Sequence, residues 1–126
     1  MVVLMTRILL LCLLLSPAVA QELRNTPEPV RKKPDRTVHI VAERFSFSPS
    51  RIRVKQGAEV EFVITSEDTG HGFHIPAAGI NAAVPQQGKG ELRVRFIARE
   101  KGSYIFECSR PCGAGHNMMR GRIIVE

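Results

Sequence analysis

No stretch of twelve residues carries an apolar stripe of helical period, no segment repeats another, and tryptophan is absent beside a single tyrosine. The missing stripe argues against helices as the organising elements, and the missing repeat leaves no solenoid or propeller to consider. No glycine-rich nucleotide loop, catalytic triad or substrate-pocket motif is present, so nothing marks the chain as an enzyme in its own right. A formal charge of +6 over 126 residues is too mild to imply nucleic-acid binding. With 44% hydrophobic and 24% charged residues, the chain is also not a wholly disordered one. Three cysteines, four histidines and four methionines are few, so their positions carry more information than their totals.

The first segment is set apart from the rest. Met1 to Ala20 has one basic residue, Arg7, then the apolar run Ile8 to Leu15, then Ser16-Pro17 and a small-x-small end at Ala18-Val19-Ala20. This predicts a secretory signal peptide cleaved before Gln21 and an exported, periplasmic or otherwise extracytoplasmic protein. The run is short for a bilayer span, so a retained membrane anchor is the weaker reading. Cys12 follows the bulky Leu11 rather than a small residue, which is unlike a lipid-attachment site, and it reads as an apolar residue removed with the segment. The remaining 106 residues carry 17 basic and 12 acidic side chains, a charge of +5, and keep Cys108 and Cys112. Residues 21–36, with three prolines and eight charges, cannot pack a core and read as a flexible or extended linker. Its Arg31-Lys32-Lys33 cluster reads as solvated charge. The folded unit is expected over residues 37–126, where 12 basic residues oppose 9 acidic ones.

Within that unit the apolar period is two. Arg51 to Lys55 places Ile52 and Val54 on one face, and Gln56-Gly57 turns the chain. Ala58 to Thr65 places Val60, Phe62 and Ile64 inward. Glu91 to Ile97 alternates Leu92, Val94 and Phe96 with charged residues. Val38 to Ala42, Ser103 to Glu107 and Arg122 to Val125 are further β-rich runs, whereas Asp68 to Gly90, rich in Gly, Ala and Pro, reads as long loops. Six or seven short strands between Gly and Pro turns predict an all-β sandwich.

One segment concentrates soft donor atoms. From Cys108 to Met119 the chain reads CSRPCGAGHNMM, so Cys108, Cys112, His116 and Met119 follow the spacing C-x3-C-x3-H-x2-M. Two thiols, an imidazole and a thioether are a poor match for a hard cation and suit copper. Gly113 and Gly115 let such a loop fold tightly, and strand-like runs flank it on both sides. A second imidazole is available from Asp68-Thr69-Gly70-His71-Gly72-Phe73-His74-Ile75-Pro76, which follows the strand ending near Thr65. In an extended segment His71 and His74 point to opposite faces. His74 therefore reads as exposed or as a neighbour of the site, and His39 as a solvent-facing strand residue. Met118 reads as a hydrophobic lid or core residue, because the register selects Met119.

These two segments resemble the cupredoxins. In particular, the chain is similar to the dinuclear copper (CuA) domain of cytochrome c oxidase subunit II and nitrous oxide reductase. His71, Phe73, Ile75 and Pro76 match the upstream H-x-F-x-[IV]-P pattern, and Cys108 to Met119 matches the downstream C-x3-C-G-x2-H-x2-M pattern in full. The resemblance covers roughly Phe45 to Glu126 and implies a Greek-key β-sandwich of about seven strands. It implies a centre of two copper ions, with Cys108 and Cys112 as bridging thiolates and His71 and His116 as one imidazole for each ion. Met119 is then a weak ligand on the copper held by His71, and the backbone carbonyl of Arg110 a weak ligand on the other. Both sulfurs stabilise a delocalised mixed-valence pair, so a single electron enters and leaves with little rearrangement. The implied partners are redox proteins, such as a c-type cytochrome or an oxidase catalytic subunit. Membrane association would be indirect or through an uncleaved signal segment.

The chain also departs from that pattern. It has no pair of amino-terminal membrane helices, and no tryptophan for an aromatic electron-entry patch. Arg110 stands where the oxidase family usually has a carboxylate that helps bind magnesium. Copper needs only the carbonyl there, but docking in an ordinary oxidase becomes doubtful. Three other readings of the residues stay open: a structural Cys108–Cys112 disulfide, a mononuclear blue-copper site built from His71, Cys112, His116 and Met119, and a copper storage or delivery protein.

Overall fold

The computed structural model describes residues 29–126; the expected signal peptide and residues 21–28 of the expected linker lie outside the described residues. Residues 33–126 form one compact unit. It contains nine strands: β1 (Arg36–Glu43), β2 (Ser46–Ser48), β3 (Arg51–Val54), β4 (Glu59–Ser66), β5 (His71–Ile75), β6 (Ile80–Val84), β7 (Leu92–Ile97), β8 (Gly102–Glu107) and β9 (Arg120–Val125). Single 3₁₀ turns occur at Pro76–Ala78 and His116–Met118, and the described residues contain no α-helix. No helix among them is long and apolar enough to cross a membrane.

The strands divide into two sheets, ordered β2-β1-β4-β7 and β3-β9-β8-β5-β6. Most neighbours are antiparallel, but β1 runs parallel to β4 and β3 parallel to β9. Alternation in the sequence becomes alternation across the sheets, because successive side chains point to opposite faces. In β3 Ile52 and Val54 are buried while Arg51 and Arg53 are exposed, and in β4 Val60, Phe62 and Ile64 are fully buried. On the other face of the β4–β7 pair, Arg95 contacts Glu59 at 2.6 Å and Glu61 at 3.2 Å, and Arg93 contacts Glu61 at 2.9 Å. These exposed or half-exposed pairs keep that face soluble and add little stability.

Five phenylalanines tie the two sheets together. Phe47 and Phe73 each lie 5.3 Å from Phe106 between ring centroids, and Phe62 lies 5.9 Å from Phe73 and 6.1 Å from Phe96. Phe62, Phe73 and Phe106 are wholly buried. Rings packed edge-on or tilted at these distances contribute beyond their area burial.

The Asp68–Gly90 region corrects the sequence expectation of long loops. It contains the hairpin β5–β6, paired from His71↔Val84 to Ile75↔Ile80 around the Pro76–Ala78 turn. Four of the five β5 residues are buried, so the strand shows no polar alternation to read. Its partner β6 has Asn81, Ala82 and Ala83 at its centre, poor strand formers held there by their neighbours. The three-residue β2 also escapes a periodicity reading. The all-β sandwich itself stands, with nine strands where about seven were expected.

Phe73 sits where the two sheets meet, so Phe73→Ala should remove about 3–5 kcal/mol of stability. That corresponds to a loss of melting temperature on the order of 15 °C or more for a unit of this size. Ile105→Ala, at a side chain 39% exposed, should cost under about 1 kcal/mol. Thermal denaturation of both variants checks this, and comparable losses would show that the sandwich does not depend on the phenylalanine cluster.

Candidate metal centre

The donor atoms singled out in the sequence come from the start of β5 and from the loop between β8 and β9, and β5 and β8 are neighbours in one sheet. His71 is the first residue of β5, and Cys108 is the first residue after β8. β5 and β8 meet at the cross-strand pair His74↔Glu107, which brings these strand ends together. The chain then loops from Cys108 through the His116–Met118 turn and returns as β9. A bond from the Cys108 amide to the Met119 carbonyl, 3.0 Å, closes the loop at its neck.

Inside this enclosure the sulfurs and imidazoles converge. The Sγ atoms of Cys108 and Cys112 lie 3.8 Å apart, and both thiols are free and buried. His71 Nδ1 lies 3.9 Å from Cys108 Sγ, and His116 Nδ1 lies 3.7 Å from Cys112 Sγ. Met119 Sδ is 3.9 Å from Cys112 Sγ, and the Arg110 carbonyl oxygen is 3.2 Å from Cys108 Sγ. The donor atoms of His71, Cys108 and Cys112 all lie within 4.8 Å of one another. Bonds from a first-row metal to N and S ligands run at about 2.0–2.3 Å, so donors on a common ion stand about 3.3–4 Å apart. The observed separations are of that size, and the residues fit a soft metal centre. The sulfurs are too far apart for a disulfide, whose bond is about 2.0 Å.

The buried polar groups around these donors are committed. His71 is fully buried; its Nε2 lies 2.7 Å from Asp68 Oδ1, which fixes the ring and leaves Nδ1 facing Cys108. A histidine that holds a metal through one nitrogen and a carboxylate through the other is a recurrent arrangement. Burial opposes the Asp68 charge, yet a hydrogen bond from the Arg44 amide and the His71 contact outweigh it and hold the carboxyl below its ordinary value of 3.8. The Gly72 amide points at Cys108 Sγ from 3.4 Å. Only glycine fits there, because a Cβ on Gly72 would meet Ser109 Oγ and stand 2.7 Å from the Ser109 amide nitrogen. Burial, the adjacent Cys108 thiol and the Asp68 charge push the Cys112 thiol up from 9.0 to about 11, against a smaller opposing pull from Arg44.

The remaining sequence candidates fall outside this cluster. His74 Nδ1 faces Glu107 at 3.5 Å rather than the sulfurs, and His39 is exposed. Met118, expected as a lid or core residue, is 82% exposed, because the His116–Met118 turn directs it outward while Met119 is wholly buried. Asp68 was not singled out as a site residue. Its spacing of three residues before His71 was the available signal, but in sequence it reads as a turn residue.

Comparison with known proteins agrees with this geometry. Residues 6–125 match the model of the cupredoxin-like domain. The chain is 42% identical over 91 residues to cytochrome c oxidase subunit 2 of Thermus thermophilus, covering 71% of this chain and 65% of that one. It is 38% identical over 95 residues to nitrous-oxide reductase of Ralstonia nicotianae, covering 71% of this chain and 14% of the reductase. It spans 65% and 52% of the length of the two Thermus subunits that it matches. Among solved structures, it superposes on a chain of a heme-copper terminal oxidase dimer at 26% identity with a TM-score of 0.61, covering 87% of this chain and 86% of that one. It also shares its fold with the periplasmic domain of subunit II of the Bradyrhizobium japonicum cytochrome oxidase, at 18% identity and a TM-score of 0.68, covering 75% and 86% of the two chains.

Two expectations follow from the local geometry. In metal-free protein, alkylation of Cys112 should still be rising at about pH 10, where an ordinary thiol has levelled off, because only the thiolate reacts. Peptide-resolved mass spectrometry after iodoacetamide treatment checks this, and a plateau by about pH 10 would contradict it. Gly72→Ala should push the Ser109 backbone away and weaken metal retention by about tenfold or more. Competition against a chelator measures that loss, and retention equal to the unaltered protein would show that the close approach does not matter.

Proposed function

The chain belongs to the cupredoxin-like family and is homologous to cytochrome c oxidase subunit 2 and nitrous-oxide reductase; from that premise we propose that it is an exported copper protein that carries single electrons through a dinuclear centre. The observation that carries this reading is the pairing of each buried sulfur with its own imidazole, His71 with Cys108 and His116 with Cys112, across a sulfur–sulfur gap of 3.8 Å. A mononuclear site drawn from His71, Cys112, His116 and Met119 would leave Cys108 unexplained.

Copper, when bound, supplies the one-electron couple. The protein supplies the frame. In this reading Cys108, Cys112, His71 and His116 would hold the copper, with Met119 and the Arg110 carbonyl as weaker donors. Asp68 fixes His71 from behind, and the Gly72 amide steadies the Cys108 sulfur. Strands β5, β8 and β9 anchor both donor segments, so the ligand positions need to change little when an electron arrives or leaves. The fully buried His71 and Met119 keep water from one side, while the half-exposed His116 lies nearer the surface and offers the shorter way out.

Residues 1–20 act in this proposal as the export signal and 21–36 as a tether for the domain at 37–126. Its partners would be a c-type cytochrome or an oxidase catalytic subunit, outside the cytoplasm. Work as a module of a larger oxidase remains within the same reading.

Reconstitution tests it. The protein should take up two coppers per chain, turn intensely purple, and give the many-line paramagnetic resonance pattern of one electron shared by two copper nuclei. One copper with a blue band would instead indicate the mononuclear site. A weakly coloured protein that holds only copper(I) and releases it readily would indicate storage or delivery. Cys108→Ser should abolish or convert the dinuclear signal, and an unchanged spectrum would remove Cys108 from the centre.

A further inference from the structure

The two donor segments meet a third segment that the sequence did not connect with them. Arg44 and Phe45 form the turn between β1 and β2, in the opposite sheet from β5 and β8. The Arg44 amide donates to Asp68 Oδ2 at 2.8 Å, and the other oxygen of that carboxylate holds His71 Nε2 at 2.7 Å. The Arg44 side chain reaches the other donor segment, where Nε donates to the Cys112 carbonyl at 2.8 Å. The Phe45 ring lies directly against Gly113 and Gly115. A Cβ on Gly113 would stand 2.8 Å from Phe45 Cε1, and one on Gly115 would collide with the same ring. One turn thus touches the His71 side through a carboxylate and the Cys112 side through a guanidinium and a ring.

We propose that Arg44 is a positioning residue of the centre, clamping the Cys112 segment to the Asp68–His71 pair, and that its charge favours the reduced state. The inference rests on the copper reading above. The clamp follows from connectivity. The loop from Cys108 to Met119 is anchored at its neck and, just beyond Cys108, by Ser109 Oγ donating to Asn81 Oδ1 at 2.7 Å, while its far part has the local backbone bonds His116 N to Gly113 O, Met118 N to Gly115 O and Met119 N to His116 O. The bond to Arg44 is therefore what ties the middle of the loop to the rest of the sandwich, with Phe45 as its floor. The charge effect follows from sign. Reduction adds one negative charge to the centre, and a fixed cation bonded to the carbonyl of one bridging residue stabilises that state more than the oxidised one. Arg44 is exposed, so salt should weaken the electrostatic part and leave the clamp intact.

Two variants test this. Arg44→Gln removes the charge and the directed Nε donor but leaves the backbone amide that holds Asp68. In metal-free protein, amide hydrogen exchange over residues 112–116 should accelerate about tenfold while β4 and β8 exchange at their native rates. With copper bound, transfer to a chelator should be about tenfold faster, and the midpoint potential should fall, by less at high salt than at low salt. Arg44→Lys keeps the charge without the planar fork. It should restore the potential and recover only part of the retention. Native exchange, copper loss and potential in folded Arg44→Gln would overturn the proposal. Equal falls in potential for Gln and Lys would overturn the charge effect. If Arg44→Gln does not fold, Arg44→Lys decides, with faster copper loss supporting the clamp and native loss overturning it. Failure of the unaltered protein to bind copper would sink the functional reading instead, while the exchange measurement would still report on the clamp.

Discussion

Everything at the centre depends on how closely β5 can lie against the end of β8. His71 and Cys108 are 37 residues apart in the chain, and only their strand neighbourhood makes them partners. The two strands share a single register pair, His74↔Glu107. Beyond it the Cys108–Arg110 backbone crosses directly over Gly72, in space that no side chain can occupy. That absence of a Cβ lets an amide face a sulfur and an imidazole face the same sulfur from the adjacent residue. A short strand buried on nearly all sides, with a glycine at its second position, is a weak strand by propensity. The pairing to β6 and the phenylalanine cluster below it hold it in place, so the site's precision derives from packing rather than from local preference.

The two ends of the donor set are held differently. His71 is enclosed and locked by Asp68, whereas His116 sits on a 3₁₀ turn in a surface loop. A loop that depended only on its own short-range bonds would be among the more mobile parts of the fold. Three features counter this here: the neck bond between Cys108 and Met119, the seat of two glycines on Phe45, and the reach of Arg44 to the Cys112 carbonyl. Glycine serves both demands at Gly113. Its φ of 140° is a conformation other residues avoid, and its missing side chain admits the ring.

Much of this was legible from the chain alone, and the parts that were not share a physical reason. Alternating residues such as Ile52 and Val54, or Val60, Phe62 and Ile64, announced strands because one face is wet and the other dry. β5 and β6 carried no such contrast, one being buried on both faces and the other having Asn81, Ala82 and Ala83 at its centre, so they read as loops. The register of Cys108, Cys112, His116 and Met119 was visible because loop donors lie close in sequence. His71 needed a pattern beyond periodicity, the H-x-F-x-I-P match. Asp68, Arg44 and Phe45 were invisible as parts of the site, since each gains its role through contacts 3 to 70 positions away. The outward turn of Met118 was likewise set by the 3₁₀ geometry and not by its apolar side chain.

The chemistry of the empty charge balance points the same way as the geometry. A pair of thiolates 3.8 Å apart in a buried pocket, with a carboxylate nearby, is an arrangement of like charges that burial penalises. Without a cation, burial and the adjacent Cys108 thiol push the Cys112 thiol up from 9.0 to about 11. Folding alone therefore disfavours the thiolate further, and that form needs a compensating positive charge. A bound metal supplies it, and proton release and metal uptake become one event. The rigid frame leaves few ways to relieve the repulsion by moving apart, since Cys108 is pinned at the loop neck and Cys112 at Arg44. The fold is in this sense complementary to a soft cation.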